Sequence, residues 1–250
     1  MTNSPAHFRG ILRPVSRVRY TAWRLAGGKK PINLRLASGL RLRMRSLATT
    51  DYGVAWQIYW RRDYESPQHL RDVRQVVDLG ANVGYSCLYW CHQYPQCRVT
   101  ALEPHPVHLS VMRDNLQRNG FLDQVKIVPA AAGSKEKRSY LTDARTSSSV
   151  TEEQSALQIR VLDIFAEPEM KGKIDILKID IEGGEYELLS DPRFAQLEVR
   201  ALVVEWHNTP DHPDGRDWCL KRLESLGYRV QVGAEDPPFA GLLWAYRDLC

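Results

Sequence analysis

The sequence predicts an α/β protein, an open and mostly parallel sheet with an antiparallel edge strand and an N-terminal β-hairpin and helix extension. Three observations predict it. From about residue 75 onward, short apolar runs alternate with helix-length segments, the pattern of βαβ units. The first run, Val73-Arg74-Gln75-Val76-Val77, feeds into the glycine-rich turn Asp78-Leu79-Gly80-Ala81-Asn82-Val83-Gly84. The next run closes on Glu103-Pro104, nineteen residues after Gly84, so a carboxylate ends the second strand. A length of 250 residues holds one such domain with an extension, divided as residues 1–70 (basic extension and cap) and 71–250 (sheet domain).

The elements follow in order. Phe8, Ile11, Leu12, Val15, Val18, Ala22 and Leu25 recur at roughly helical spacing, interrupted by Pro14. Three roles fit this stripe: a helix packed on the domain, a segment lying on a membrane, or a transit peptide. Residues 31–45 alternate on both sides of Ser38-Gly39. Ile32, Leu34, Leu36, Leu40, Leu42 and Met44 face one way and Arg35, Arg41, Arg43 and Arg45 the other, as in a β-hairpin with an arginine-lined outer face. A helix over 52–62 is N-capped by Asp51. Then come strand 75–79, helix 83–94, strand 97–102, helix 106–119 and strand 125–129, with Pro106 in a first turn and Asn119-Gly120 as a stop. Residues 133–156 are polar, include Ser147-Ser148-Ser149, and read as a loop or short hairpin. Strands 174–180 and 198–206 flank a short helix at 184–190, and helix 215–226 stops at Gly227. Strands 228–232 and 241–246 close the sheet as an antiparallel pair around Asp236-Pro237-Pro238.

Composition narrows the class. Eleven of the 34 Lys and Arg lie in residues 1–50 with none of the 30 Asp and Glu, so a basic extension precedes a net acidic domain. No apolar run approaches the ~20 residues of a membrane span. No secretory-type apolar stretch opens the chain, so export is not expected. Five scattered cysteines, Cys87, Cys91, Cys97, Cys219 and Cys250, fit reduced thiols in a cytoplasmic protein, with Cys87 and Cys91 on one helical face.

The chemistry should sit where parallel strands end. In the first turn, Gly80 permits unusual backbone angles and Gly84 lets the following helix approach closely. Glu103 is placed to accept hydrogen bonds from two ribose hydroxyls. The turn reads D-x-G-x-x-x-G, whereas dinucleotide sites read G-x-G-x-x-G. A carboxylate at Asp78 repels a pyrophosphate and suits a cationic aminoacyl group such as the ammonium of S-adenosylmethionine. Two further strand ends are rich in reactive groups, Lys178, Asp180, Glu182 and Glu185 after one and Glu205, His207 and Asn208 after the other. Alternation puts Lys178, Asp180 and Glu182 on one side of an extended segment.

Lys178-Ile179-Asp180-Ile181-Glu182-Gly183-Gly184-Glu185 resembles the K-I-D-[IV]-E-G-x-E signature of the FkbM-type S-adenosylmethionine-dependent methyltransferases, which are class I, Rossmann-like enzymes. Val76 to Gly84, Glu103-Pro104 and Val204-Glu205-Trp206-His207 fit the same family in the same order, and the resemblance covers about residues 31–246. It implies methyl transfer to a hydroxyl oxygen of a sugar, glycolipid or polyketide-type natural product. The cofactor is then expected at Asp78, Gly80, Ala81, Asn82, Gly84, Glu103, Pro104, Ala131 and Asp180. Adenine falls over Val128 to Ala131, where Ala130, Ala131 and Ala132 offer no polar side chain, leaving backbone, apolar contact or Ser147 to Ser149.

An attacking alcohol must lose its proton to a positioned carboxylate or histidine. His207 is favoured as that base, with Asp180 as orienting or cofactor-facing group and Glu182 and Glu205 as alternates. Lys178 reads as an ion-pair partner for Asp180 or Glu205. Asp180, Glu182, Glu205 and Asn208 are oxygen ligands that magnesium accepts, but no ligand spacing indicates a metal. The acceptor is expected to be a small or glycosylated molecule, and a phosphorylated one would suit the hairpin's arginines. Nucleic acid is not expected, while residues 1–30 are able to make peripheral membrane contact. The rival readings are an NAD(P)-dependent oxidoreductase and a catalytically silent, membrane-associated methyltransferase fold.

Overall fold

A computed structural model gives the structure of the chain and describes residues 5–141, 150–151, 157–236 and 239–248. Ser147 to Ser149, Pro237-Pro238 and Cys250, which the sequence reading invoked, lie outside the described residues. The N-terminal part comprises α1 (Pro5–Gly10), α2 (Pro14–Leu25), the hairpin β1 (Ile32–Arg35) and β2 (Arg41–Met44), and α3 (Asp51–Trp56), which runs straight into a π-helical turn at Gln57–Arg61. Next come β3 (Gln75–Leu79), α4 (Tyr85–Gln93), β4 (Arg98–Leu102), α5 (Pro106–Asn119) and β5 (Val125–Val128). Four short strands follow, β6 (Ala131–Gly133), β7 (Lys137–Leu141), β8 (Val150–Thr151) and β9 (Leu157–Asp163). The chain then forms β10 (Ile174–Ile179), α6 (Glu185–Ser190), β11 (Val199–His207), α7 (Gly215–Ser225), β12 (Arg229–Asp236) and β13 (Ala240–Tyr246).

The main sheet has seven strands in the order β12-β13-β11-β10-β3-β4-β5. All neighbours from β11 to β5 are parallel, and β13 runs antiparallel to both β11 and β12. Strand order reverses at β3 and β10, whose ends stand in register with Lys178 beside Asp78 and Ile179 beside Leu79. That is the switch point where open α/β sheets form a crevice. All six residues of β10 are buried, as a central parallel strand covered on both faces requires. Its Asp175 survives burial by accepting hydrogen bonds from the Arg74 and Gln75 amides, at 2.7 and 3.0 Å.

The hairpin alternates as expected, with Leu34 opposite Leu42 and its apolar face buried. Two asparagines of α5, one turn apart, bind its edge. Asn115 and Asn119 accept from the amides of Arg43 and Arg41, both at 2.8 Å, and Asn119 also donates to the Arg41 carbonyl. Arg43 meets Asp114 at 3.4 Å and Arg45 chelates Asp51. Asp51 is therefore a buried anchor for Arg45, and Thr50 holds the helix N-cap position that the sequence assigned to Asp51.

The apolar stripe before the hairpin divides. Phe8, Leu12 and Tyr20 pack inward against Tyr52 of α3, with the Phe8 ring 5.3 Å from both tyrosine rings, while Val15, Val18 and Leu25 point outward. One apolar cluster runs from Phe8 and Tyr20 through Leu42 to Trp90 and Trp244, so the N-terminal elements and the sheet share a core.

A second sheet, ordered β6-β9-β7-β8, has no counterpart in the sequence reading beyond the short hairpin allowed at 133–156. In β9, Ile159 and Val161 face inward and Gln158 and Arg160 outward, a period-two signal too short to stand out beside its polar neighbours.

Candidate active site

The turn after β3 wraps over the end of β4. The Gly80 and Ala81 amides both donate to the Leu102 carbonyl, at 3.1 and 2.9 Å, and the Asn82 amide donates to Glu103 at 2.9 Å. Gly80 has φ 83°, and a Cβ there would lie 1.8 Å from the Asp180 carbonyl oxygen, so the β3–β10 crevice requires glycine. At Gly84 the close neighbour is Met112 of α5, not the helix that immediately follows. Asn82 and Glu182 are non-glycine residues at positive φ, 49° and 52°, and both face the crevice. Such strain persists where surrounding structure enforces it, and it collects at functional sites.

Glu103 is buried, with one oxygen facing the Asn82 amide and the other the His105 amide (2.8 Å) and His108 Nδ1 (3.2 Å). A carboxylate has about four acceptor positions, so one remains for a hydroxyl. His108 was not singled out in the sequence. Its signal was the helix beginning at Pro106, whose first turn leans back over the strand end.

Lys178 is the hub of the floor. Its ammonium lies 3.1 Å from Asp78, 3.2 Å from Asp180 and 2.9 Å from the Gly80 carbonyl, with the Tyr64 ring 6.0 Å away. Burial disfavours its charge, but Asp180 and Asp78 outweigh that and hold its pKa well above the ordinary lysine range. The ion pair with Asp180 is as expected, and the second partner is Asp78 rather than Glu205. Asp78 itself needs correction. It is fully buried beneath Lys178 and lines neither cavity described below, so it supports the turn instead of meeting a cofactor's ammonium. Gly84 likewise lines neither cavity, because it sits beneath α5.

β11 brings Glu205 and His207 beside Asp180, and one ligand atom from each of the three lies within 4.8 Å of the others. Glu182 does not continue the alternation from Lys178 and Asp180, because β10 ends at Ile179 and the chain turns. Both ring nitrogens of His207 face carboxylates, Nδ1 at 3.2 Å from Glu185 and Nε2 at 3.5 Å from Glu182. Glu185 is fully buried and also accepts from the His207 amide (3.0 Å) and the Gly183 amide (2.8 Å). Burial opposes the imidazolium, yet the Glu185 hydrogen bond and the surrounding carboxylates raise its pKa to about 10. Burial first, and then the charge of Asp180, pushes Glu205 up to about 8. Burial also raises Glu182. Asn208 is drawn away from this cluster to accept from the Gly215 amide at the start of α7, at 3.0 Å.

Two cavities meet over this floor and share Gly80, Asn82, Asp180 and Glu182. The larger, about 520 Å³, runs from Glu103, Pro104, Ala130 and Ala131 to Thr209 and His212. Leu141 and Val161 of the second sheet complete its apolar wall, opposite the alanines that lack polar groups. The smaller, about 360 Å³, also includes Ala81 and Glu205 and is roofed by Thr50, Val54, Trp56, Gln57, Ile58 and Tyr64. The π-helical turn supplies Gln57 and Ile58 to this roof, and π-turns recur at functional sites. His207 lines neither cavity and stands behind Glu182 and Glu205. Nor does any hairpin arginine line either one.

The chain is similar to known proteins over much of its length. The model of the Methyltransferase FkbM domain matches residues 78–230. The chain is 31% identical over 196 residues to Methyltransferase sdnD of Sordaria araneosa, covering 62% of this chain and 73% of that one. It is 29% identical over 209 residues to the 31-O-demethyl-FK506 methyltransferase FkbM of Streptomyces tacrolimicus, covering 69% and 78%. Among solved structures, Methyltransferase FkbM from Methylobacillus flagellatus KT superposes with a TM-score of 0.53 at 19% identity. That match covers 79% of this chain and 54% of the other, so this chain spans about half its length, and the likeness concerns the fold.

Proposed function

The chain belongs to the FkbM methyltransferase family, and on that premise we propose that it transfers a methyl group from S-adenosylmethionine to a hydroxyl oxygen of a sugar, glycolipid or polyketide-type acceptor. The family match supports this reading over the nicotinamide-dependent alternative. Oxygen as the acceptor atom is supported by the Streptomyces relative, which is named for a 31-O-demethyl substrate. The observation that carries the reading is Asp180, which lines both cavities and stands within 4.8 Å of Glu205.

The residues present fit the cofactor. Beside the free acceptor position on Glu103, suited to a ribose hydroxyl, two buried polar atoms at the smaller cavity's residues lack protein partners among the described residues. They are Asn82 Oδ1 and Trp56 Nε1. One acceptor and one donor match the ammonium and carboxylate of an aminoacyl end. When bound, S-adenosylmethionine supplies a methyl group on a sulfonium sulfur, a good leaving group for in-line displacement by an aligned oxygen. The Ala131 wall and Pro104 would flank the nucleoside, and Gly80 and Ala81 would cradle the chain leading to the sulfur.

The protein's remaining task is one proton. Asp180 and Glu205 stand side by side; burial and the charge of Asp180 keep Glu205 protonated up to about pH 8, and Asp180 accepts the hydroxyl's proton. His207 has no free ring nitrogen and carries charge below about pH 10, so it positions Glu182 and Glu185 and offsets their charge. Titration calorimetry with S-adenosylhomocysteine and with NAD tests the cofactor. Binding of the first and not the second is expected, and the reverse would overturn the proposal.

A further inference from the structure

We propose that the outer face of α2 docks the protein on an anionic lipid bilayer. Val15, Val18, Ala22 and Leu25 follow one another at intervals of three, four and three, one stripe of a helix, and Val15, Val18 and Leu25 are 72%, 71% and 86% exposed. The opposite stripe, Ser16 and Tyr20, is buried. This helix therefore already has its packed face, and the outward ridge is covered by nothing among the described residues. Scattered exposed apolar residues are ordinary; a continuous ridge along a helix is not.

The surrounding charge selects the occupant. Arg9, Arg13, Arg19, Lys29 and Lys30, on α2 and the segments flanking it, are exposed, and none pairs with an acidic residue among the described residues. None is available nearby in sequence, because residues 1–50 contain no Asp or Glu. An apolar strip bordered by unpaired cations matches the boundary between acyl chains and anionic headgroups. A second copy would bring the same cations against these, which disfavours self-association. The platform is firm: Tyr20, on the buried face, stacks on Tyr52 at 6.3 Å, and Thr50, Gly53 and Val54 of the same region roof the smaller cavity.

The test is sedimentation of the full chain with vesicles of phosphatidylcholine alone and with 30 mol% phosphatidylglycerol. Binding is expected only with the anionic lipid and should weaken as salt rises. Arg13→Glu combined with Arg19→Glu should lower partitioning at least about tenfold, since each basic residue near such a surface contributes roughly fivefold. Val18→Glu combined with Leu25→Glu should lower it comparably, with unchanged thermal unfolding because both sites are exposed. Equal binding to both vesicles, or binding that ignores both variants, would overturn the proposal. So would self-association that Val18→Glu with Leu25→Glu abolishes, or tight binding of RNA that survives removal of the lipid. S-adenosylhomocysteine binding, measured on the same variants, keeps this result separate from the methyl-transfer reading.

Discussion

The floor and the roof of the smaller cavity are built on different physics. The floor is charged: Lys178, Asp180 and Glu205 line it, backed by Asp78, His207 and Glu185, with Asp78 and Asp180 paired to Lys178 and Glu185 to His207. The roof is mostly apolar and aromatic, with Val54, Trp56, Ile58 and Tyr64 closing over that charge. Burial strengthens the interactions there, and burial together with the charge of Asp180 raises Glu205. The floor should therefore govern the chemical step, and the roof should govern binding.

The largest effects are expected at the floor. Asp180→Asn should lower kcat by ~10²–10⁴-fold while S-adenosylhomocysteine still binds, as read by turnover and calorimetry together. Full activity would remove Asp180 from the mechanism. Lys178→Met leaves Asp78 buried without its cation and should cost about 3–5 kcal/mol of stability in denaturant unfolding. A loss confined to the surface range of about 0.5 kcal/mol would show that Lys178 is not the hub. The roof should answer differently. Trp56→Phe removes one donor and should weaken cofactor binding by about 1 kcal/mol, close to fivefold, with kcat nearly unchanged. A fall in kcat as steep as that of Asp180→Asn would erase the distinction.

pH sharpens the same contrast. Glu205 and His207 titrate higher in the folded chain than their ordinary values of 4.5 and 6.5, at about 8 and about 10. A raised folded pKa favours the protonated form, so this stability is complete at low pH and is lost as pH rises through those folded values. The thermal midpoint should fall between pH 6 and pH 10, and Glu205→Gln should flatten the part below about pH 8.

The floor was largely legible in the sequence because its parts are local. Each strand end carries its own reactive residues within a few positions, as in Lys178 to Glu185, and the parallel-sheet rule brings those ends together. The two errors there came from direction. Asp78 faces Lys178 across the strand register, and His207 turns both nitrogens to carboxylates, neither of which spacing reveals. The roof was not legible. Trp56, Gln57 and Tyr64 reach the site through packing between segments distant in sequence, and the π-turn that presents Gln57 leaves no pattern of its own. The second sheet escaped because its strands are short and partly polar. The stripe from Phe8 to Leu25 was seen but read as one face, whereas Pro14 breaks the helix and sends Phe8 and Leu12 inward and Val15 and Val18 outward.

The central claim is that the methyl group goes to oxygen. Incubation with S-adenosylmethionine bearing a deuterated methyl and a panel of hydroxylated sugars, glycolipids and polyketides, followed by mass spectrometry and NMR, tests it directly. The expected product gains one labelled methyl on an oxygen, and Asp180→Asn forms little of it. Label on carbon or nitrogen would contradict the account.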